Sequence, residues 1–126
     1  MKTRLARAAV AALLLCSLAP ASFAQERRVR FERGRTSAVL KGTVSHGREA
    51  VYVLNARAGQ TLIVHVSTTS PNHDVVFSIK SPGGGDLTDD IGTDFSGELP
   101  SSGDYRIAVG AIESETANYT LEVTIR

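Results

Sequence analysis

Phe95-Ser96-Gly97-Glu98-Leu99, Pro100-Ser101-Ser102-Gly103 and Asp104-Tyr105-Arg106-Ile107-Ala108-Val109 run on without a break, and this stretch decides the fold. Its outer pieces place β-branched or aromatic residues at alternating positions, which predicts two strands. Between them, proline lacks an N–H and glycine accepts positive φ, so the chain bends at the surface. The reading is a turn joining two paired strands, with Ser-Gly-Asp-Tyr at an exposed bend. Such a bend on a rigid scaffold makes a presenting loop rather than a catalytic pocket.

The same period of two continues outward in both directions. It predicts eight strands, at Arg28–Phe31, Ala38–Val44, Ala50–Asn55, Thr61–Ser67, Val75–Lys80, Thr93–Leu99, Tyr105–Gly110 and Tyr119–Ile125. The alternation sends Val29 and Phe31 inward, then Tyr52, Leu54 and Ala56, Leu62, Val64 and Val66, and Val75, Phe77 and Ile79. Tyr105, Ile107, Val109, Tyr119, Leu121, Val123 and Ile125 complete the set, and no long helical pattern appears. One-sided sheets must bury their apolar faces against each other, so the fold class is all-β, a single antiparallel β-sandwich of about eight short strands. A small closed barrel is the alternative. Turn chemistry marks the connections at Ser45-His46-Gly47, Arg57-Ala58-Gly59, Ser70-Pro71-Asn72 and Ser81-Pro82-Gly83-Gly84-Gly85, the last opening the longest loop.

The first residues read as an export signal. Lys2, Arg4 and Arg7 precede an apolar run from Ala8 to Leu15, and Ser22-Phe23-Ala24 forms a cleavage site. Residues 1–24 are therefore expected to be a cleaved signal peptide, leaving 25–126 as one β-sandwich domain. The apolar run is too short to span a bilayer, so no stable membrane anchor is expected. Leu13-Leu14-Leu15-Cys16 resembles a lipoprotein processing site, but Leu15 stands where a small residue is required. Cys16 then leaves with the leader, and no disulfide is available to the exported chain. The predicted location is the periplasm or the exterior of a Gram-negative bacterium.

Charge is divided unevenly along the exported chain. Gln25 to Arg57 holds eight Lys/Arg against three Asp/Glu, whereas Ala58 to Arg126 holds three against ten. The sum is slightly acidic, unlike that of a nucleic-acid binder. Because a sandwich interleaves its halves, the expected outcome is an ordinary solvated surface, with steering of a charged partner as the alternative.

Enzymatic constellations are absent from the pattern. His46, His65 and His73 lack metal-site spacing, with His46 and His73 in turns and His65 outward on a strand. No Gly-x-Ser-x-Gly elbow accompanies Ser102, His73 and Asp74. Asp86, Asp89, Asp90 and Asp94 crowd a glycine-rich loop but lack the order of an EF-hand, so a solvated acidic loop is preferred to a calcium site. No catalytic residue, cofactor or metal ligand is assigned, and the chain is read as a non-catalytic binding protein.

Several pieces of the chain resemble the periplasmic inhibitors of g-type (goose-type) lysozyme. They are Val29-Arg30-Phe31-Glu32-Arg33-Gly34, Asn55-Ala56-Arg57-Ala58-Gly59-Gln60, Val64-His65-Val66-Ser67, Leu99 to Tyr105, and Asn118-Tyr119-Thr120-Leu121. The family's Ser-Gly-x-Tyr loop falls on Ser102, Gly103 and Tyr105, and the resemblance implies that these residues meet a lysozyme's active-site cleft. In the inhibitors an arginine-rich segment follows that strand, whereas Gly110 to Ala117 here carries Glu113 and Glu115. Tyr52, Ala58 to Leu62 and Gly103 to Tyr105 also resemble bacterial pre-peptidase C-terminal domains, which implies a stand-alone sandwich that binds envelope polysaccharide or protein. The partner on either reading is an envelope component, g-type lysozyme first. Tyr105 is expected to bury its ring, while Ser102 and the Gly103 backbone face outward.

Overall fold

The computed structural model describes residues 26–126, so the predicted leader, its cleavage site and Cys16 lie outside the described residues. Eight strands follow in order: β1 (Glu26–Arg28), β2 (Ser37–Val44), β3 (Ala50–Ala56), β4 (Thr61–Ser67), β5 (Val75–Lys80), β6 (Asp94–Glu98), β7 (Gly103–Ala111) and β8 (Ala117–Ile125). They form two four-stranded sheets, ordered β1-β3-β7-β5 and β2-β8-β4-β6. Pairing is antiparallel except where β1 lies parallel to β3. Two separate sheets define a sandwich and remove the barrel alternative. Among the described residues no helix is long and apolar enough to cross a membrane.

The side chains assigned inward by alternation meet in one cluster. Tyr52, Leu54, Phe77, Tyr105 and Ile107 from the first sheet face Leu62, Val64, Tyr119, Leu121 and Val123 from the second, and all are buried. Each such side chain contributes about 1.5–3 kcal/mol of transfer free energy, which is how a domain without disulfides holds together. Across the layers the Tyr52 and Tyr119 hydroxyls share a hydrogen bond of 2.5 Å, with their rings edge to face. Burial of Tyr119 and its bond to Tyr52 both raise the Tyr119 pKa above the usual phenol range.

Two expectations are corrected. The first strand was expected over Arg28–Phe31, but its ladder ends at Arg28, and the Val29 N–H then donates to the Val53 carbonyl at 2.8 Å as the chain leaves the sheet. Val29 is buried and Phe31 packs against the core because this segment crosses between layers. Alternation here reports burial, not membership of a ladder. The second correction concerns the opening stretch, because β6 pairs with β4 and β7 pairs with β3 and β5. The bend is thus a corner between sheets rather than a hairpin, and buried Leu99 turns it by entering the core.

Strand direction sorts the connections by end. Ala56 opposes Gly103 and Thr61 opposes Glu98, so residues 57–60 and the 99–102 corner share one end. The 29–36 crossover belongs there too, since the Ile125 N–H donates to the Thr36 carbonyl at 2.9 Å. Residues 45–49, 68–74 and 112–116 occupy the opposite end, where Val44 opposes Ala117 and Val75 opposes Ala111.

Candidate functional site

The corner is tied to its neighbours at every step. The Tyr105 hydroxyl donates to the Ser101 carbonyl at 2.6 Å, and the Ser101 N–H donates back to that hydroxyl at 3.3 Å. This is a tyrosine corner, a device by which sandwiches fasten a strand's start to the bend before it. Tyr105 is fully buried, so its ring is a fastener and its surface contribution is the shape it imposes on Ser101. Leu99 closes the other side: its N–H donates to the Gln60 carbonyl at 2.8 Å and its carbonyl accepts from the Gly59 N–H at 2.9 Å.

Ser102 is exposed, but its hydroxyl is engaged. Its Oγ accepts from the Ala58 N–H at 2.9 Å, joining the corner to the 57–60 turn. Gly103 has φ +140, and a Cβ there would lie 2.8 Å from Cβ of Pro82. Glycine is required at this position on both counts. Asp104 follows with its carboxylate held by both Arg28 guanidinium nitrogens, at 3.3 and 3.1 Å, and by Asn55 Nδ2 at 3.0 Å. The Arg28 and Asn55 hydrogen bonds hold the Asp104 pKa below the ordinary carboxylate range. Exposed at this end are Pro100, Ser101, Ser102 and the Arg57-Ala58-Gly59 turn.

The same end is cationic. Arg30, Arg33, Arg35 and Arg57 are exposed in the two connections beside the corner, with Glu32 among them. Arg35 pairs with Glu32 at 3.4 Å, while Arg30, Arg33 and Arg57 form no ion pair among the described residues. The expected blending of charge does not occur at the tips, because the basic crossover and the Arg57 turn both emerge here. Glu113 and Glu115 emerge at the other end, about 25 Å away along the nine residues of β7.

That acidic connection is itself fixed by Asp74. One carboxylate oxygen accepts from the Glu113 and Ser114 N–H groups at 2.7 Å each, and the other accepts from the Ser114 hydroxyl at 2.7 Å. The Ser114 hydroxyl and these two N–H groups lower the Asp74 pKa to about 2. Asp74 lies at the end opposite Ser102, with exposed His73 beside it at φ 48, so Ser102, His73 and Asp74 do not come together. The loop carboxylates also diverge: Asp86 pairs with Lys80 at 2.9 Å and Asp94 with His65 at 2.6 Å. Among the described residues no three His, Cys, Asp or Glu side chains are grouped to hold a metal.

The sequence singles out the Ser102 bend, read as a hairpin, and does not associate Arg57 with it. The available signal was the basic excess of Gln25 to Arg57 together with the turn residues Ala58-Gly59.

No protein-family model matches the sequence, and no curated protein matches it. Solved structures do. PliG of Aeromonas hydrophila, a periplasmic lysozyme inhibitor of g-type lysozyme, superposes with a TM-score of 0.72 and 28% identity, covering 84% of this chain and 100% of that one. Salmonella Typhimurium PliG gives 0.62 with 23% identity over 81% of this chain and 98% of that one. The pre-peptidase C-terminal domain of Bacillus anthracis collagenase gives 0.60 with 12% identity over 85% and 100%. Both resemblances read from the sequence thus reappear as structural likeness, the last two neighbours speaking for the fold alone.

Proposed function

We propose that this chain is an exported, non-catalytic inhibitor of g-type lysozyme that offers its β6–β7 corner to the enzyme. The observation that carries the reading is the likeness to the Aeromonas inhibitor over that protein's whole length. The local geometry supports it. Ser102 and the Gly103 backbone, with Ser101, form the contact, and Tyr105 holds them in place without touching the partner. Preorganisation of this kind lowers the entropic cost of association. Glycosidase clefts carry carboxylates, so Arg57, Arg30 and Arg33 supply charge of the complementary sign beside the corner.

A sugar-binding sandwich of the pre-peptidase C-terminal kind is less favoured. Such surfaces rely on exposed aromatic platforms, whereas Tyr52, Tyr105 and Tyr119 are all buried and the chain has no Trp. Titration of the purified protein into g-type lysozyme acting on bacterial cell walls tests the proposal. Lysis should fall stoichiometrically as the protein approaches the enzyme concentration. Undiminished lysis at micromolar excess rejects it.

A further inference from the structure

β7 contains a glycine that the fold does not need. A Cβ at Gly42 would run into the Tyr119 ring, and one at Gly97 would meet Phe95 at 3.0 Å. At Gly110 the nearest atom would be Cγ of Glu49 at 3.8 Å, an ordinary contact, and φ there lies outside the left-handed region. Glycine weakens a strand interior, and close approach of a ligand or another backbone is one of the recurrent reasons for keeping one there.

Gly110 lies in an open groove of about 350 Å³ on the outer face of the β1-β3-β7-β5 sheet, with Val76 and Ala108 beside it. Ile91 and Ile112 also line this groove, 52% and 46% exposed, and they are two of the three large apolar side chains most exposed among the described residues. Arg48 and Glu49, of opposite charge, and His46 also line it. Asp89 and Asp90 directly precede Ile91, and Glu113 follows Ile112 with Glu115 close behind. None of these four carboxylates forms an ion pair among the described residues.

We propose that the groove docks an extended cationic segment of a protein partner, setting one apolar side chain between Ile91 and Ile112. Lysine or arginine residues on either side of that anchor face Asp89, Asp90, Glu113 and Glu115. An apolar centre with charge complementarity around it is the anatomy of a specific interface. The groove is at the end away from the Ser102 corner, so this proposal does not rest on the lysozyme reading.

The test uses the ¹⁵N-labelled protein and three short peptides observed by NMR. Acetyl-Lys-Lys-Leu-Lys-Lys-amide should give saturable shifts at the Ala108, Gly110, Ile91 and Ile112 amides. Replacing its leucine by serine should weaken binding by at least about tenfold, and a glutamate-flanked version should give no saturable shift. Gly110→Leu, which fills the floor, should abolish the response. If that variant does not fold, the surface double variant Ile91→Ser with Ile112→Ser should lose it instead. Gly110→Ala should raise the melting temperature. The proposal is overturned if the cationic peptide gives no saturable shift at millimolar concentration, if the acidic peptide binds equally well, or if the response survives the substitutions. A lower melting temperature for Gly110→Ala would also overturn it, by showing an internal role for the glycine.

Discussion

The Tyr105 hydroxyl and the Ser101 carbonyl lie 2.6 Å apart, and this bond, with the weaker return bond from the Ser101 N–H, makes a buried core residue the support of an exposed corner. Tyr105→Phe keeps the ring and removes both bonds. It should cost about 0.5–1.5 kcal/mol in stability. Tyr105→Ala should cost about 3–5 kcal/mol because it also opens a core cavity. Urea denaturation of both variants measures the difference, and equal costs would show that the ring contributes no more than its hydroxyl.

Ser102→Ala removes the acceptor that receives the Ala58 N–H at 2.9 Å. Because Ala58 is exposed, water replaces the lost bond, and the cost should stay within about 0.5–1.5 kcal/mol. The corner thereby loses its side-chain tie to the Arg57 turn and keeps only the Leu99 backbone bonds to Gln60 and Gly59, so inhibition of g-type lysozyme should weaken more than stability does. Parallel melting and inhibition curves decide this. A loss confined to the melting temperature would mark Ser102 as purely structural.

Asp74 predicts an acid transition. Its pKa is about 2 in the folded state, against about 3.9 for an unfolded aspartate, so its contribution is complete above pH 4 and is lost as pH falls towards 2. Urea midpoints followed from pH 5 to 2 should fall steeply through that window (roughly pH 4 to 2) and more shallowly in Asp74→Asn. Identical pH slopes for the two proteins would contradict the assignment.

Tyr119 predicts the opposite limb. Its pKa is raised on folding, so the stabilising effect is fully present below the unfolded tyrosine value of about 10 and is lost as pH rises beyond it. Absorbance titration should show a phenol that ionises only with unfolding, and Tyr119→Phe should remove it. Ionisation of Tyr119 near pH 10 in the folded protein would show that its hydroxyl is solvated.

Much of the architecture was legible because period-two alternation reports burial directly. Leu62, Val64, Phe77, Ile107 and Leu121 could be assigned inward from spacing alone. Pairing was less legible. Pro100-Ser101-Ser102-Gly103 has the composition of a hairpin turn, but whether a bend stays within one sheet or crosses to the other depends on the Leu99 side chain and the distant Gln60 and Gly59 backbone. Likewise, Val29 and Phe31 carry a strand signal because they are covered, although only Glu26–Arg28 pair. At the corner, Tyr105 and Ser102 could be named from the motif, whereas Arg57 could not. Its place beside them follows from the 46-residue separation that β3 and β7 close, with Ala56 opposite Gly103.

The central claim is that the corner-bearing, cationic end engages the enzyme and the acidic end does not. Inhibition constants for g-type lysozyme measured with Arg57→Glu and with Glu113→Lys test it most directly. Arg57→Glu should raise the concentration needed for half inhibition by at least about tenfold, and Glu113→Lys should change it by less than about twofold. Unchanged inhibition by Arg57→Glu together with a large effect of Glu113→Lys would place the contact at the wrong end of the sandwich and contradict the account.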